Sequence, residues 1–440
     1  MATIVLAPLP VPGHVNPSLR IARSLQGRGH RVHYLGILEL EDEVRAEGFE
    51  FTPLFADVFP KGKLSELRAT AARLKGPRLL WFLRTQAARF NQALQRMVDG
   101  EVDDTLRALR PDLLICDEKL RHLSVIGHGL GIPVLQMNVT IPPELIPREA
   151  GAERGPGRGG AMPGERLLTA LGFFPRLRPS LLALARKHHY PLKEARGMPA
   201  LDRALSPELL LCPREFAEVR VPSAPGEYCY IEPCIDRDRR EPDFPWERLS
   251  GERPLVFFAL GTLAATSAHN LRILREAFLA AGRRPDLQFV IAVGSSMEPS
   301  MFDVPPGVIA VKVAPQLGLL RKAAVMVNHA GTNSVKECIA FGVPMVSIPL
   351  QFDQPDIGRL VELHGVGRTI APRDFTADRL LAALDGVLKD PACKQACEQL
   401  RTHFLHSEQT REAAGPIEAF IGRRAHGGPA ASAQPQATGS

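Results

Sequence analysis

The 440-residue sequence contains no apolar run approaching the roughly 20 residues that a membrane-spanning helix requires. Its first residues, Met-Ala-Thr-Ile-Val-Leu-Ala-Pro-Leu-Pro, carry no basic region, and proline cuts the apolar stretch short. No secretory leader is therefore expected, and the cytoplasm is the expected compartment. Cysteine is sparse: the seven residues are scattered, odd in number and without paired metal-ligand spacing, which suits a reducing environment and excludes a disulfide scaffold. Cys393 and Cys397, four apart, read as small buried helix residues. Aromatic-rich basic strands, a helix-turn-helix and zinc-finger spacings are all missing, so the net charge of +6 does not amount to a nucleic-acid footprint. No Gly-x-Gly-x-x-Gly follows the first strand, which argues against a nicotinamide-dependent dehydrogenase.

What is present is a repeated strand–helix pattern. A chain of 440 residues is too long for one core, and two α/β domains are expected. Residues 3–7 and 31–35 read as strands around a helix that begins with Asn16 as N-cap and Pro17 at its first position. Further strands fall at 111–117 and 132–137. In residues 79–98 the apolar Leu83, Ala87, Phe90, Leu94 and Met97 recur at helical spacing. Arg78, Arg89 and Arg96 opposite them are expected to form a solvated face; peripheral contact with an anionic membrane, involving Trp81, is the alternative. Residues 149–164, rich in Gly, Pro and Arg, read as a loop. The charged, proline-containing segment 236–253 reads as a linker between a first domain, 1–235, and a second, 254–404. Strands at 255–260, 288–293, 308–313, 325–328 and 345–348 and a helix at 268–281 build the second. A helix at 405–424 is expected to pack back on the first domain, and 425–440 to be a disordered tail.

The chemistry concentrates in the second half. Val325-Met326-Val327 runs into Asn328-His329-Ala330-Gly331-Thr332-Asn333-Ser334, and a helix follows. Such a junction aims free N–H groups and the positive helix end at an anion, preferably phosphate. Gly331 allows close approach, Asn333 and Ser334 offer hydrogen bonds, and His329 offers a donor or a charge. Asn333 or Ser334 alone reads as a helix cap; the combination does not. Glu337, one turn in, is wrong for phosphate but suits a ribose diol. Asp353 and Gln354, after a strand end, suit sugar hydroxyls. Ala314 and Gln316 follow another strand end, where a nucleoside would lie at a switch point. On the first loop, His14 is either a surface residue or a general base, with Asp117 as its orienting carboxylate and Glu118 as runner-up. Asp236-Arg237-Asp238 matches an Asp-x-Asp metal motif but sits among arginines and reads as solvated linker.

The run from Val313 to Gln354 resembles the signature of family-1, UDP-glycosyltransferase-like enzymes. The likeness extends from the Gly13-His14 loop to the last helix. Phe258-Ala259-Leu260-Gly261-Thr262-Leu263, Leu350-Gln351-Phe352-Asp353-Gln354-Pro355 and His364-Gly365-Val366-Gly367 look most like bacterial carotenoid, macrolide and polyketide glycosyltransferases. The resemblance implies an α/β GT-B fold, two Rossmann-like doubly wound domains facing across a cleft, with acceptor bound by the first and donor by the second. It implies that His329, with Gly331, Asn333, Ser334 and Thr262, holds the diphosphate. Glu337 would hold the ribose, Val313, Ala314 and Gln316 the nucleoside, Asp353 and Gln354 the transferred sugar. His14, beside Gly13 at the edge of the donor site, would be the base of an inverting, metal-independent transfer that uses no cofactor. Where the family often has Trp, this sequence has Val313, so the expectation of a UDP-sugar over a TDP-sugar is loosened. Glucose is the expected sugar. The expected partner is a small hydrophobic acceptor gripped by loops within 54–84 and 140–189, with Phe51, Phe55, Phe59, Phe82, Phe173 and Phe174 either lining its cavity or filling the core. The protein would be a monomer or homodimer. A sugar-nucleotide epimerase of the same fold and a non-catalytic activator are the competing readings.

Overall fold

The strands at 3–7 and 255–259 are apolar along almost their whole length, the mark of parallel sheets covered on both faces. The computed structural model describes residues 1–64, 66, 67, 70, 74, 76–147, 175–195, 198–219, 223, 228–261 and 268–425. The loop read at 149–164, Thr262, Phe173, Phe174 and residues 426–440 of the tail lie outside them.

The first part of the chain runs β1 (Thr3–Ala7), α1 (Pro12–Gly27), β2 (Arg31–Gly36), α2 (Glu41–Ala46), β3 (Glu50–Pro53), α3 (Gly76–Asp99), α4 (Glu101–Leu109) and β4 (Leu113–Asp117). It continues through α5 (Arg121–Gly129), β5 (Val134–Asn138), α6 (Leu177–Lys187), the hairpin β6 (Lys193–Ala195) and β7 (Met198–Ala200), β8 (Glu208–Leu210), α7 (Arg214–Ala217) and β9 (Cys229–Tyr230). Seven of these strands form one parallel sheet in the order β3-β2-β1-β4-β5-β8-β9. Alternate side chains of β1 enter two cores, Ile4 and Leu6 on the face of α1, Val5 and Ala7 on the other.

A second parallel sheet is built from β10 (Leu255–Ala259), α8 (Ala268–Gly282), β11 (Gln288–Ala292), β12 (Ile309–Val311), α9 (Gln316–Leu320), β13 (Ala323–Asn328), α10 (Thr332–Ala340), β14 (Met345–Ser347), α11 (Gln354–Leu363) and β15 (Gly367–Thr369). Its order is β12-β11-β10-β13-β14-β15. Then follow α12 (Ala377–Leu388), α13 (Pro391–Thr410) and α14 (Ala414–Ala425). The last helix leaves the second sheet and buries Ala413, Ala414, Ile417 and Phe420 in the core that holds Leu19 and Leu25 of α1. Between the sheets a shared apolar core joins Phe216 and Tyr230 to Val335, Leu360 and Phe404. Lys336 crosses the same boundary, fully buried, and donates to the carbonyls of Leu211 and Pro233 at 3.0 Å each.

Three expectations need correction. Helix α1 starts at Pro12, not after Asn16, with Val11 extended before it and Pro17 inside it. Pro12 takes the first helical position, where a missing N–H costs nothing. Of the three arginines expected on a solvated face of α3, Arg78 is exposed, but Arg89 donates to the Val58 carbonyl at 2.9 Å and Arg96 pairs with Asp57 and Glu101, while Trp81 and Leu80 are exposed as well. In the segment after Ile235, Asp236 is buried rather than solvated, whereas Asp238 and Arg240 are exposed. Among the described residues no helix is long and apolar enough to cross a membrane.

Candidate functional site

In each sheet the strand order reverses once, and a crevice opens there at the carboxyl ends of the strands. In the first sheet the reversal lies between β1 and β4, paired from Ile4 with Leu113 to Ala7 with Cys116. His14 follows β1 and Asp117 ends β4. In the second it lies between β10 and β13, where Ala259 is level with Asn328. Gly261 follows β10 and His329 follows β13. The two switch points face one another, and the side-chain amide of Asn333 donates to the Gly13 carbonyl at 2.5 Å across the gap.

His14 and Asp117, 103 positions apart in the chain, meet with Nδ1 and Oδ2 separated by 2.5 Å. Asp117 is fully buried, and its other oxygen accepts from the Lys119 N–H at 3.0 Å. An ionised carboxylate only accepts, so the His14 proton resides on Nδ1 and Nε2 is left with a free lone pair. Glu118 pairs with Lys119 instead.

The turn at His329 is held from below. Buried Asn328 accepts the Ala330 N–H at 2.8 Å and the Ser347 hydroxyl at 3.0 Å, and this clamps Ala330 in a left-handed conformation, φ 58°. Such a conformation costs about 1–2 kcal/mol for a residue with a Cβ, so the clamp matters. The His329 ring is wedged between two glycines. A Cβ on Gly331 would lie 2.4 Å from its Nε2, and one on Gly261 2.5 Å from its Cε1. Gly331 is therefore small for the histidine as much as for a phosphate. Burial pushes the His329 pKa down to about 4, with Asp353 opposing, so the ring is neutral at pH 7. Its Nδ1 is buried and, among the described residues, has no hydrogen-bond partner. Helix α10 starts at Thr332 with no side-chain cap, and its first internal bond runs from Val335 N to the Gly331 carbonyl. The N–H groups of Thr332, Asn333 and Ser334 precede that bond.

Around this helix end the other site residues are positioned by hydrogen bonds. Thr332 donates to Asp353 at 2.9 Å. The carbonyl oxygen of the Gln354 side chain accepts from the N–H groups of Leu350 and Gln351, leaving only its NH₂ for a sugar. Gln316 donates to Ser334 at 3.3 Å and to Glu337 at 2.6 Å. Val313, 45 % exposed, and Ala314 line a cavity of about 410 Å³ together with Gly261, Gln316, Asn16 and Arg239. That volume suits a nucleotide.

The segment 236–253 belongs to this site. Asp236 is buried and paired with Arg23 of α1. Arg237 pairs with Glu408 of α13 at 3.0 Å. Glu241 accepts the Leu317 and Gly318 N–H groups at the start of α9. Arg239 binds Glu337 through two parallel hydrogen bonds. Sequence reading missed Arg239, Asn328, Thr332 and the Asn333 bridge, although all but Arg239 sit in the segment it singled out. Phe51, Phe55 and Phe59 are buried core residues rather than cavity walls. Among the described residues no cluster of His, Cys, Asp and Glu is arranged for a metal ion.

Comparison with known proteins agrees with this geometry. Residues 243–413 match the family model of UDP-glucoronosyl and UDP-glucosyl transferases. The chain is 27 % identical over 429 residues to the oleandomycin glycosyltransferase of Streptomyces antibioticus, covering 96 % of this chain and 92 % of that one. It is 24 % identical over 418 residues to the zeaxanthin glucosyltransferase of Pantoea ananas, covering 93 % and 94 %. The crystal structure of the glycotransferase of kitacinnamycin superposes with a TM-score of 0.67 at 24 % identity, covering 95 % of this chain and 98 % of the other. The two facing parallel sheets are those of the GT-B fold, and over residues 243–413 the chain carries the match to the UDP-glucoronosyl and UDP-glucosyl transferase family.

Proposed function

We propose that this enzyme transfers a hexose, glucose by preference, from a uridine diphosphate sugar to a hydroxyl of a hydrophobic natural product, with inversion at the sugar carbon. The observation that carries the reading is the Asn333–Gly13 contact, because it sets the first turn of α1, which bears His14, against the end of the donor helix. The relatives named for a macrolide and a carotenoid support the acceptor class, and the second of them supports glucose. The uridine preference rests on the family description and is weakened by Val313, which has no aromatic face to stack on a base. A cytoplasmic location belongs to the same reading.

In this scheme the acceptor hydroxyl approaches His14 Nε2. As its oxygen attacks the anomeric carbon, the proton passes to Nε2, and the imidazolium that forms is stabilised by buried Asp117. The bond to the diphosphate breaks on the opposite face, which gives inversion. Negative charge developing on the leaving group meets the free N–H groups of Thr332, Asn333 and Ser334 and the His329 ring. Asp353, oriented by Thr332, and the Gln354 amide bind the sugar. The leaving group is thus met by protein groups, and no metal or cofactor is invoked. Activity that is abolished by a chelator and restored by manganese would contradict this.

The test is release of nucleoside diphosphate from UDP-glucose with and without hydrophobic alcohols. Acceptor-dependent release is expected, and His14→Ala should remove it while UDP still binds. Conversion of the donor sugar without an acceptor would instead identify an epimerase. Binding without any turnover would identify an activator protein.

A further inference from the structure

Glu337, the carboxylate suited to the ribose, is already occupied. Arg239 Nη1 lies 2.5 Å from Oε1, Nη2 lies 3.1 Å from Oε2, and Gln316 Nε2 lies 2.6 Å from Oε2. A carboxylate accepts about four hydrogen bonds, so three of its places are filled. The Glu337 side chain is only 5 % exposed, and the guanidinium lies over it. One place is left, too few for both hydroxyls of a ribose diol, and Arg239 holds two of the three that are filled.

We propose that Arg239 is a ligand of the donor diphosphate, paired with Glu337 here and exchanged onto the phosphates as the ribose takes Glu337. The inference rests on the donor-site reading above. Arg239 lines both the large cavity beside Val313 and Gln316 and a narrow cleft it shares with Asn333 and Glu337, so it borders the same space as the first turn of α10. Besides Glu337, its acidic neighbours are Glu241, 3.8 Å away, and Asp236, which is committed to Arg23. A guanidinium displaced from Glu337 inside this cleft needs another anion, because an unpaired buried charge is costly. A nucleoside supplies hydroxyls to Glu337 but nothing to Arg239. A nucleoside diphosphate supplies both, and phosphate oxygens match the guanidinium fork. The exchange makes the site select for the diphosphate and not merely for the nucleoside.

The experiment compares dissociation constants of UDP and of uridine for the wild type, Arg239→Ala and Arg239→Lys by calorimetry. Arg239→Ala is expected to weaken UDP by about tenfold or more, the scale of a lost hydrogen bond to a charged group. Uridine should bind equally well or more tightly, because Glu337 is uncovered. Arg239→Lys, which keeps the charge but not the fork, should fall between. Retained uridine binding also reports that the pocket is formed. Unchanged UDP affinity in both variants overturns the inference, and so does loss of uridine in step with UDP, which would make Arg239 part of the pocket wall. A wild type that binds neither UDP nor thymidine diphosphate overturns the donor-site reading itself. A wild type that binds UDP, with Arg239→Ala binding it as well, overturns only the exchange.

Discussion

Replacing Asp117 with asparagine changes almost no volume in a fully buried position, yet it should disable the base. One Asp117 oxygen accepts the Lys119 N–H at 3.0 Å and the other faces His14 Nδ1 at 2.5 Å. An asparagine must keep its oxygen toward Lys119, since the opposite orientation would set two N–H donors against each other. Its NH₂ then points at His14 Nδ1. The imidazole has to accept there, so its proton moves to Nε2, the atom that should receive the proton of the acceptor. The charge-assisted bond that steadies the imidazolium, worth about 1.5–3 kcal/mol, is lost as well. A positioned base contributes roughly 10²–10⁴ in rate, and kcat should fall within that range, equivalent to about 2.7–5.5 kcal/mol of barrier. The UDP dissociation constant should not change, because neither residue faces the nucleotide cavity. Initial rates at saturating donor and acceptor, with calorimetry for UDP, measure both quantities. Turnover like that of the wild type would refute the tautomer argument. A loss of UDP affinity matching the loss of rate would show that Asp117 supports the cleft and not the base.

Gly331→Ala should weaken UDP binding by about 1–3 kcal/mol, the usual range for overpacking, because its Cβ would stand 2.4 Å from His329 Nε2 while its own backbone, φ −67°, is ordinary. A UDP titration of that variant is the check, and unchanged affinity would remove the ring from the diphosphate site. Val313→Trp should tighten both UDP and thymidine diphosphate by about 0.5–1.5 kcal/mol if this exposed position faces the base, and leave inorganic diphosphate unaffected. His122 and His329 are both pushed down to about 4 by burial, from the ordinary value near 6.5. Between those values the unfolded chain binds protons that the folded one does not, so their contribution to stability is complete above about pH 6.5 and is lost as pH falls toward 4. Melting temperature should decline across that window, and less steeply in His122→Gln; a decline of equal slope in both proteins would clear His122.

The residues that were legible from sequence share one property: their partners are close in the chain. His329 to Glu337 lie within nine positions on one strand–turn–helix, so spacing alone puts an anion site before the helix and a carboxylate one turn in. Asp353 and Gln354 follow the next strand in the same way. The alternating strands and helices were visible because the central strands, such as Leu255-Val-Phe-Phe-Ala259, are buried throughout. What the spacing hid was pairing at long range. Arg239 meets Glu337 across 98 positions, and a charged, proline-containing stretch has the composition of a solvated linker whether or not its charges find partners. Arg96 of α3 escapes the helical pattern for the same reason, since it turns to Asp57, 39 positions earlier.

Pro17 shows how a local rule can be obeyed and still mislead. Asparagine followed by proline reads as the start of a helix, and the helix nevertheless begins at Pro12. Inside a helix a proline at this position has no N–H to give to the carbonyl four residues earlier, which is that of Gly13. That carbonyl is the one that accepts the Asn333 amide from the donor helix, 320 positions away. The break in the α1 ladder thus supplies the acceptor that ties the turn of α1 bearing His14 to the nucleotide site. A residue that looks like a boundary signal in the sequence is, in the fold, what leaves the start of this helix a hydrogen bond to make across the cleft.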